Sequence, residues 1–229
     1  LVVDPATRWL DRHAGAPCVA GPAPARVAWL TGQSDWRRSH LSPAQLAVLD
    51  ALAEDGWMPL RLGFPWTAPA AAGEYRRAPL PAASLRNAVQ HLAARPGSRF
   101  ARQVAGHLQP LLDRTSDRLL LLCGSTGAQM LGAAAPLLAV PPGLRVQVVA
   151  LGPVGRLPRT GGAWEVRVVR GDRDLISRWG HRGAPDVLVP GGHLDAATGP
   201  AAVAAVRALA VPPDGAREPG GRPAAGAVR

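Results

Sequence analysis

Short, almost wholly apolar runs alternate along this chain with longer stretches in which apolar residues recur every three or four positions. The runs are Arg26-Val27-Ala28-Trp29-Leu30, Met58 to Phe64, Leu119 to Leu122, Val146 to Leu151, Val166 to Val169 and Val187 to Val189. Their length and branched or aromatic content predict six strands. Between them, Leu46, Leu49 and Leu52 mark a helix that starts from a Ser42-Pro43 cap, with Pro at the first helical position. Ala82 to Arg114 predicts two helices broken at Pro96-Gly97, and Met130, Leu131, Leu137 and Leu138 predict one that ends before Pro141-Pro142. Two more are expected around Leu175 to Trp179 and Ala196 to Leu209. Strand runs alternating with helices imply an α/β class with a mostly parallel sheet of six strands, or slightly more, and helices on both faces. The fully apolar Leu119 to Leu122 run suits a central strand buried on both sides.

The 229 residues fit one medium-sized domain with a buried sheet, and leave little room for a second. Gly21-Pro22-Ala23-Pro24 has the composition of a linker, so residues 1–25 are expected to form an N-terminal extension and 26–210 the compact domain. From Val211 onward the chain is rich in Pro, Gly and Arg with almost no large apolar residue, and 211–229 is expected to be a disordered tail.

Composition narrows the function classes. The formal charge of +10 with 26 basic residues invites a nucleic-acid reading. All 26 are Arg, spread along the chain among abundant Ala, Gly and Pro, and aromatics make up only 4%. That pattern reflects a GC-rich coding sequence better than a phosphate-binding face with stacking platforms, so no nucleic-acid partner is expected. No apolar window approaches the roughly 20 residues of a membrane span. Asp4, Arg8, Asp11 and Arg12 interrupt anything resembling a secretory signal, so the expectation is a soluble, cytoplasmic protein. Cys18 and Cys123 are far apart, which argues against a disulfide framework, and no Cys/His spacing resembles a zinc site. Neither a metal nor a cofactor is expected.

In an open parallel sheet, ligands bind beyond the carboxyl ends of the strands. Three of those ends carry chemistry. Ser125 follows the Leu119 run, Gly171-Asp172-Arg173-Asp174 follows the Val166 run, and Gly191-Gly192-His193 follows the Val187 run.

Cys123-Gly124-Ser125-Thr126-Gly127 resembles the nucleophile elbow of the α/β-hydrolase family, with Cys123 in place of the usual leading glycine. Val168-Val169-Arg170-Gly171-Asp172-Arg173-Asp174 resembles the turn that carries the family's catalytic acid, and Val189-Pro190-Gly191-Gly192-His193 the turn that carries its histidine. The order Ser, Asp, His is also the family's, and the resemblance runs from about Arg26 to Leu209. It implies acyl transfer to water or another acceptor, with Ser125 as nucleophile, His193 as general base and Asp174 orienting the imidazole. It also implies an oxyanion hole made of the Thr126 backbone N–H and a second N–H from the loop after the first strand, assigned to Gln33. The substrate would be a small acyl compound or a carrier-bound thioester.

Each residue also has a plainer reading. Gly124 to Gly127 could equally be a tight βα turn or a phosphate cradle at a helix start, although it lacks the longer loop and Lys of a P-loop. Asp174 competes for its role with Asp172 and Asp186, and it also stands where it would cap the helix at Leu175. Arg37 and Arg38 are a solvated pair by default, or a seat for an acidic substrate group. The tryptophans are expected in core or rim packing, with Trp36 and Trp66 the two placed after strand ends. His13, His40, His91, His107 and His181 read as structural. About a dozen residues, Gly152 to Ala163, join two strands where relatives of the family insert a lid, so the segment Thr67 to Gly73 is the remaining candidate for a flap. The rival functions are an acyltransferase on the same triad and a noncatalytic ligand-binding protein that keeps the fold.

Overall fold

The computed structural model describes residues 3–36, 39–68 and 75–210. Six strands form one sheet in the order β2-β1-β3-β4-β5-β6. They are β1 Ala23–Thr31, β2 Met58–Pro59, β3 Thr115–Gly124, β4 Arg145–Leu151, β5 Trp164–Gly171 and β6 Val187–Val189, and every neighbouring pair is parallel. The helices are α1 Pro5–Asp11, α2 Pro43–Glu54, α3 Leu80–Ala93, α4 Arg99–Asp113, α5 Gly127–Ala134, α6 Leu175–Gly180, α7 Asp195–Thr198 and α8 Pro200–Leu209. The α/β class and parallel six-stranded sheet expected from the alternating runs are therefore present.

Successive strand residues point to opposite faces, and the two cores separate accordingly. Leu119, Leu121 and Cys123 of β3 join Val146, Val148 and Ala150 of β4 on one face, under α1, α4 and α5. Leu120 and Leu122 join Val27, Trp29, Val149 and Leu151 on the other, under α2, α7 and α8. All four leucines of the run are fully buried. Burial of each side chain contributes about 1.5–3 kcal/mol, which is why this run becomes a central strand.

Three expectations change. The first 25 residues hold a core helix: Asp4 caps α1 by accepting the Thr7 N–H at 2.9 Å, and Trp9 and Leu10 are buried in the same cluster as α4. Trp9 stacks on Trp36 with ring centroids 5.8 Å apart and meets Phe64 edge-on. Two turns are too few to leave a periodic signal, and β1 already begins at Ala23. The second strand covers only Met58–Pro59 rather than reaching Phe64; the Leu60 N–H still reaches Val27 O at 2.9 Å, after which the chain turns away. Leu60, Phe64 and Trp66 are instead buried from the turn that follows. The last helix is split at Gly199-Pro200 into α7 and α8, since proline excludes helical continuation through the preceding residue. The expected tail from Val211, the Arg37-Arg38 pair and the expected flap beyond Ala68 lie outside the described residues. Among the described residues, no helix is long and apolar enough to cross a membrane.

The chain leaves β1 for the edge strand β2 and then returns to β3 on the other side of β1. The strand order thus reverses between β1 and β3, and the crevice beyond their carboxyl ends is where such sheets bind ligands.

A histidine in the core makes stability depend on pH. His107 of α4 packs edge-on against Phe64, and burial, followed by the nearby charge of His13, lowers its pKa to about 4. Between the unfolded value near 6.5 and about 4 only the unfolded chain takes up this proton, so stability rises with pH across that window and is lost as pH falls through it. The full effect is on the order of 3 kcal/mol. The midpoint of thermal unfolding is expected to fall as buffer is taken from pH 7 to pH 4, and less steeply in His107→Gln, as followed by circular dichroism.

Candidate active site

Ser125, Asp174 and His193 lie at the ends of β3, β5 and β6 and meet beyond the sheet. His193 Nε2 is 3.1 Å from Ser125 Oγ. Its Nδ1 is 3.0 Å from Asp174 Oδ1 and 2.9 Å from Asp174 Oδ2. The Asp174 side chain is fully buried and that of His193 is 18% exposed, so the imidazole is held from behind while one edge stays open.

The turn that presents Ser125 is tight. Ser125 adopts φ 49°, a left-handed conformation that costs a non-glycine residue about 1–2 kcal/mol. The Ser125 N–H is held by Leu151 O at 3.2 Å, and Ser125 O accepts the Val154 N–H at 3.0 Å. Gly127 starts α5 against the end of β1, where a Cβ would stand 2.0 Å from Leu30 O. Only glycine fits there. Cys123, two residues before the serine, tolerates its side chain because it points into the buried face of β3. Burial pushes its thiol pKa up, so it is no rival nucleophile. Both cysteines are free.

The competing carboxylates are engaged elsewhere. Asp172 Oδ1 accepts the Gly191 N–H at 2.8 Å, which ties down the loop that carries His193. Asp186 Oδ2 accepts the Val168 N–H at 2.7 Å and its Oδ1 meets Arg167 at 3.3 Å. Asp174 makes two contacts: besides that with His193, its Oδ1 accepts the Ser177 N–H at 2.8 Å and so caps α6.

The oxyanion assignment needs a correction. Thr126 stands directly after Ser125 at the start of α5, as expected. Gln33, in contrast, is clasped by the fully buried Gln90 of α3: its N–H donates to Gln90 Oε1 and its O accepts from Gln90 Nε2, both at 2.9 Å. The Gln33 N–H is therefore committed away from the serine.

Two further residues stand near Ser125, Asp174 and His193. Gly152, at φ 53°, leaves the room that the Asp–His pair fills, since a Cβ there would lie 2.8 Å from Asp174 Oδ2 and 3.2 Å from His193 Nδ1. A glycine just past a strand end was the available hint. Asn87 of α3 reaches the β1 loop: a Cβ on Gly32 would lie 2.3 Å from Asn87 Oδ1 and 3.2 Å from Thr126 Cβ. Its Oδ1 is buried without a hydrogen-bond partner. Trp66 is fully buried in the core and Trp36 packs on Trp9. No group of three His, Cys, Asp or Glu side chains able to hold a metal occurs among the described residues.

No family model and no curated protein matches the chain. Among solved structures it is similar to a crystal structure from Xanthomonas campestris pv. campestris, a candidate hydrolase of the alpha/beta superfamily. The two share 11% identity over 81% of this chain and 99% of that one, with a TM-score of 0.43.

Proposed function

We propose that this protein is a serine hydrolase that cleaves an ester or thioester through an acyl-enzyme on Ser125. The observation that carries the reading is the position of His193, which bridges Ser125 Oγ at 3.1 Å and the Asp174 carboxylate at 2.9 Å. A hydroxyl is a weak nucleophile until a base takes its proton. His193 Nε2 removes the Ser125 proton as Oγ attacks the carbonyl, and later returns a proton to the leaving alcohol or thiol. Asp174 holds the Nδ1–H, which keeps Nε2 the basic nitrogen and stabilises the imidazolium. Water then attacks the acyl-enzyme with His193 again as base.

Negative charge develops on the carbonyl oxygen, and donors aimed at it are usually the largest single contribution to rate. The Thr126 N–H at the start of α5 serves as one donor, aided by the helix dipole. With the Gln33 N–H bound to Gln90, the side-chain amide of Asn87, whose carbonyl oxygen stands beside Gly32 without a hydrogen-bond partner, supplies the second through its NH2 group once the amide is flipped. Asn87→Ala is expected to lower kcat on a 4-nitrophenyl ester by about 10²- to 10³-fold with KM little changed. An unaltered kcat returns the second donor to the backbone.

A fluorophosphonate probe tests the main reading. Peptide mapping of the labelled protein should place the adduct on Ser125, with none in Ser125→Ala. Folded protein that takes no label, or a variant labelled as fast as the original, overturns it.

A further inference from the structure

We propose that the cleft between α3 and α6, beside the nucleophile turn, binds a phosphorylated small molecule that carries a planar ring, such as a nucleoside diphosphate group. The cleft has a volume of about 930 Å³, at the upper end of the range for small-molecule sites. Arg95, Arg156 and Arg182 line it together with His91 and His181, and no carboxylate does. None of the three guanidinium groups forms an ion pair among the described residues.

Trp179 stands on the same wall and is 84% exposed. A large aromatic surface left open among cations is costly to hydrate, and it suits a stacked ring whose phosphates meet the arginines. His91 adds a buried Nδ1 with no hydrogen-bond partner.

The walls are preformed. Gln129 of α5 links two of them, accepting the Arg156 N–H at 2.9 Å and donating to Ala94 O at 2.6 Å. Gly155 joins the third, donating to Gly180 O at 2.8 Å and meeting His181 Nδ1 at 2.9 Å. The cleft also abuts the candidate active site, because Val154, next to Gly155, donates its N–H to Ser125 O. A ligand here is the non-reacting part of the substrate, a step that rests on the hydrolase reading; binding itself does not.

One exposed tryptophan offers a platform for one ring, whereas a polymer would need a train of them. A small ligand is therefore favoured over single-stranded nucleic acid.

The test is titration of full-length Ser125→Ala protein with ADP, adenosine, inorganic pyrophosphate and a uridine decanucleotide, followed by calorimetry and tryptophan fluorescence. ADP is expected to bind saturably with quenching, and about tenfold or more tighter than adenosine or pyrophosphate alone. Arg95→Gln/Arg156→Gln/Arg182→Gln and Trp179→Ala should each weaken ADP by about tenfold or more. Arg12→Gln/Arg76→Gln/Arg77→Gln, which removes equal charge around Trp36, should leave it unchanged. The proposal is overturned by absence of saturable ADP binding at millimolar concentration, by equal affinity in the cleft variants, by equal weakening in the Trp36-side control, or by tighter binding of the decanucleotide than of ADP. Because Ser125 is absent from the protein used, none of these outcomes depends on whether the parent hydrolyses anything.

Discussion

Ser125→Ala should lower kcat/KM for a 4-nitrophenyl ester by about 10⁴- to 10⁶-fold, since loss of a triad nucleophile leaves only what binding and oxyanion donors contribute. The substitution removes one oxygen and keeps the backbone, so thermal stability should stay within about 0.5 kcal/mol. Ser125→Gly separates the chemistry from the fold further. At φ 49° a serine pays about 1–2 kcal/mol that glycine does not, so the glycine variant should be equally inactive yet raise the unfolding midpoint. A strained residue that stabilises when relaxed and abolishes turnover when replaced is one kept for function. If Ser125→Ala retains activity, the hydrolase reading is lost; if Ser125→Gly loses stability, the Oγ has a structural role that its contact with His193 does not reveal.

Much of this arrangement is legible from local pattern. The Leu119 to Leu122 run reads as a doubly buried strand, and Gly124 to Gly127 directly after it as a tight turn or a phosphate cradle. Asp174 and His193 each stand a few residues past a strand end, but Asp172 does too, and only the resemblance to the hydrolase acid turn singled out Asp174. What local pattern does not carry is contact between distant segments. Gln33 and Gln90 are 57 residues apart in sequence, and nothing in either neighbourhood says that an amide side chain would occupy the expected oxyanion donor. Asn87 reaches Gly32 in the same way, from a helix whose path over the sheet is set by packing. Gly152 has meaning only once the Asp–His pair occupies the space its missing Cβ leaves. For α1 the limit was length: Trp9 and Leu10 are fixed by α4 and Phe64, which two turns of helix cannot announce.

Under the proposed mechanism Asp174 has two duties, and substitutions can separate them. Its Oδ1 accepts the Ser177 N–H that begins α6, and both oxygens face His193 Nδ1. Asn caps helices as well as Asp does, so Asp174→Asn should keep α6 and hold stability within about 1 kcal/mol of the original. The amide nevertheless offers the imidazole one oxygen and one N–H donor, and it has no charge with which to stabilise the imidazolium. In the opposite orientation its N–H donates to Nδ1 and forces the proton onto Nε2, which then cannot accept from Ser125. The expected loss in kcat is about 10⁴-fold. Asp174→Ala removes the cap as well, costs about 1 kcal/mol more in unfolding free energy, and should be no less impaired in turnover. Steady-state hydrolysis and chemical denaturation of the two variants side by side decide the matter. Were the aspartate only a helix cap, Asp174→Asn would hydrolyse as fast as the parent and Asp174→Ala would lose stability alone, an outcome that would leave His193 without the partner its role requires.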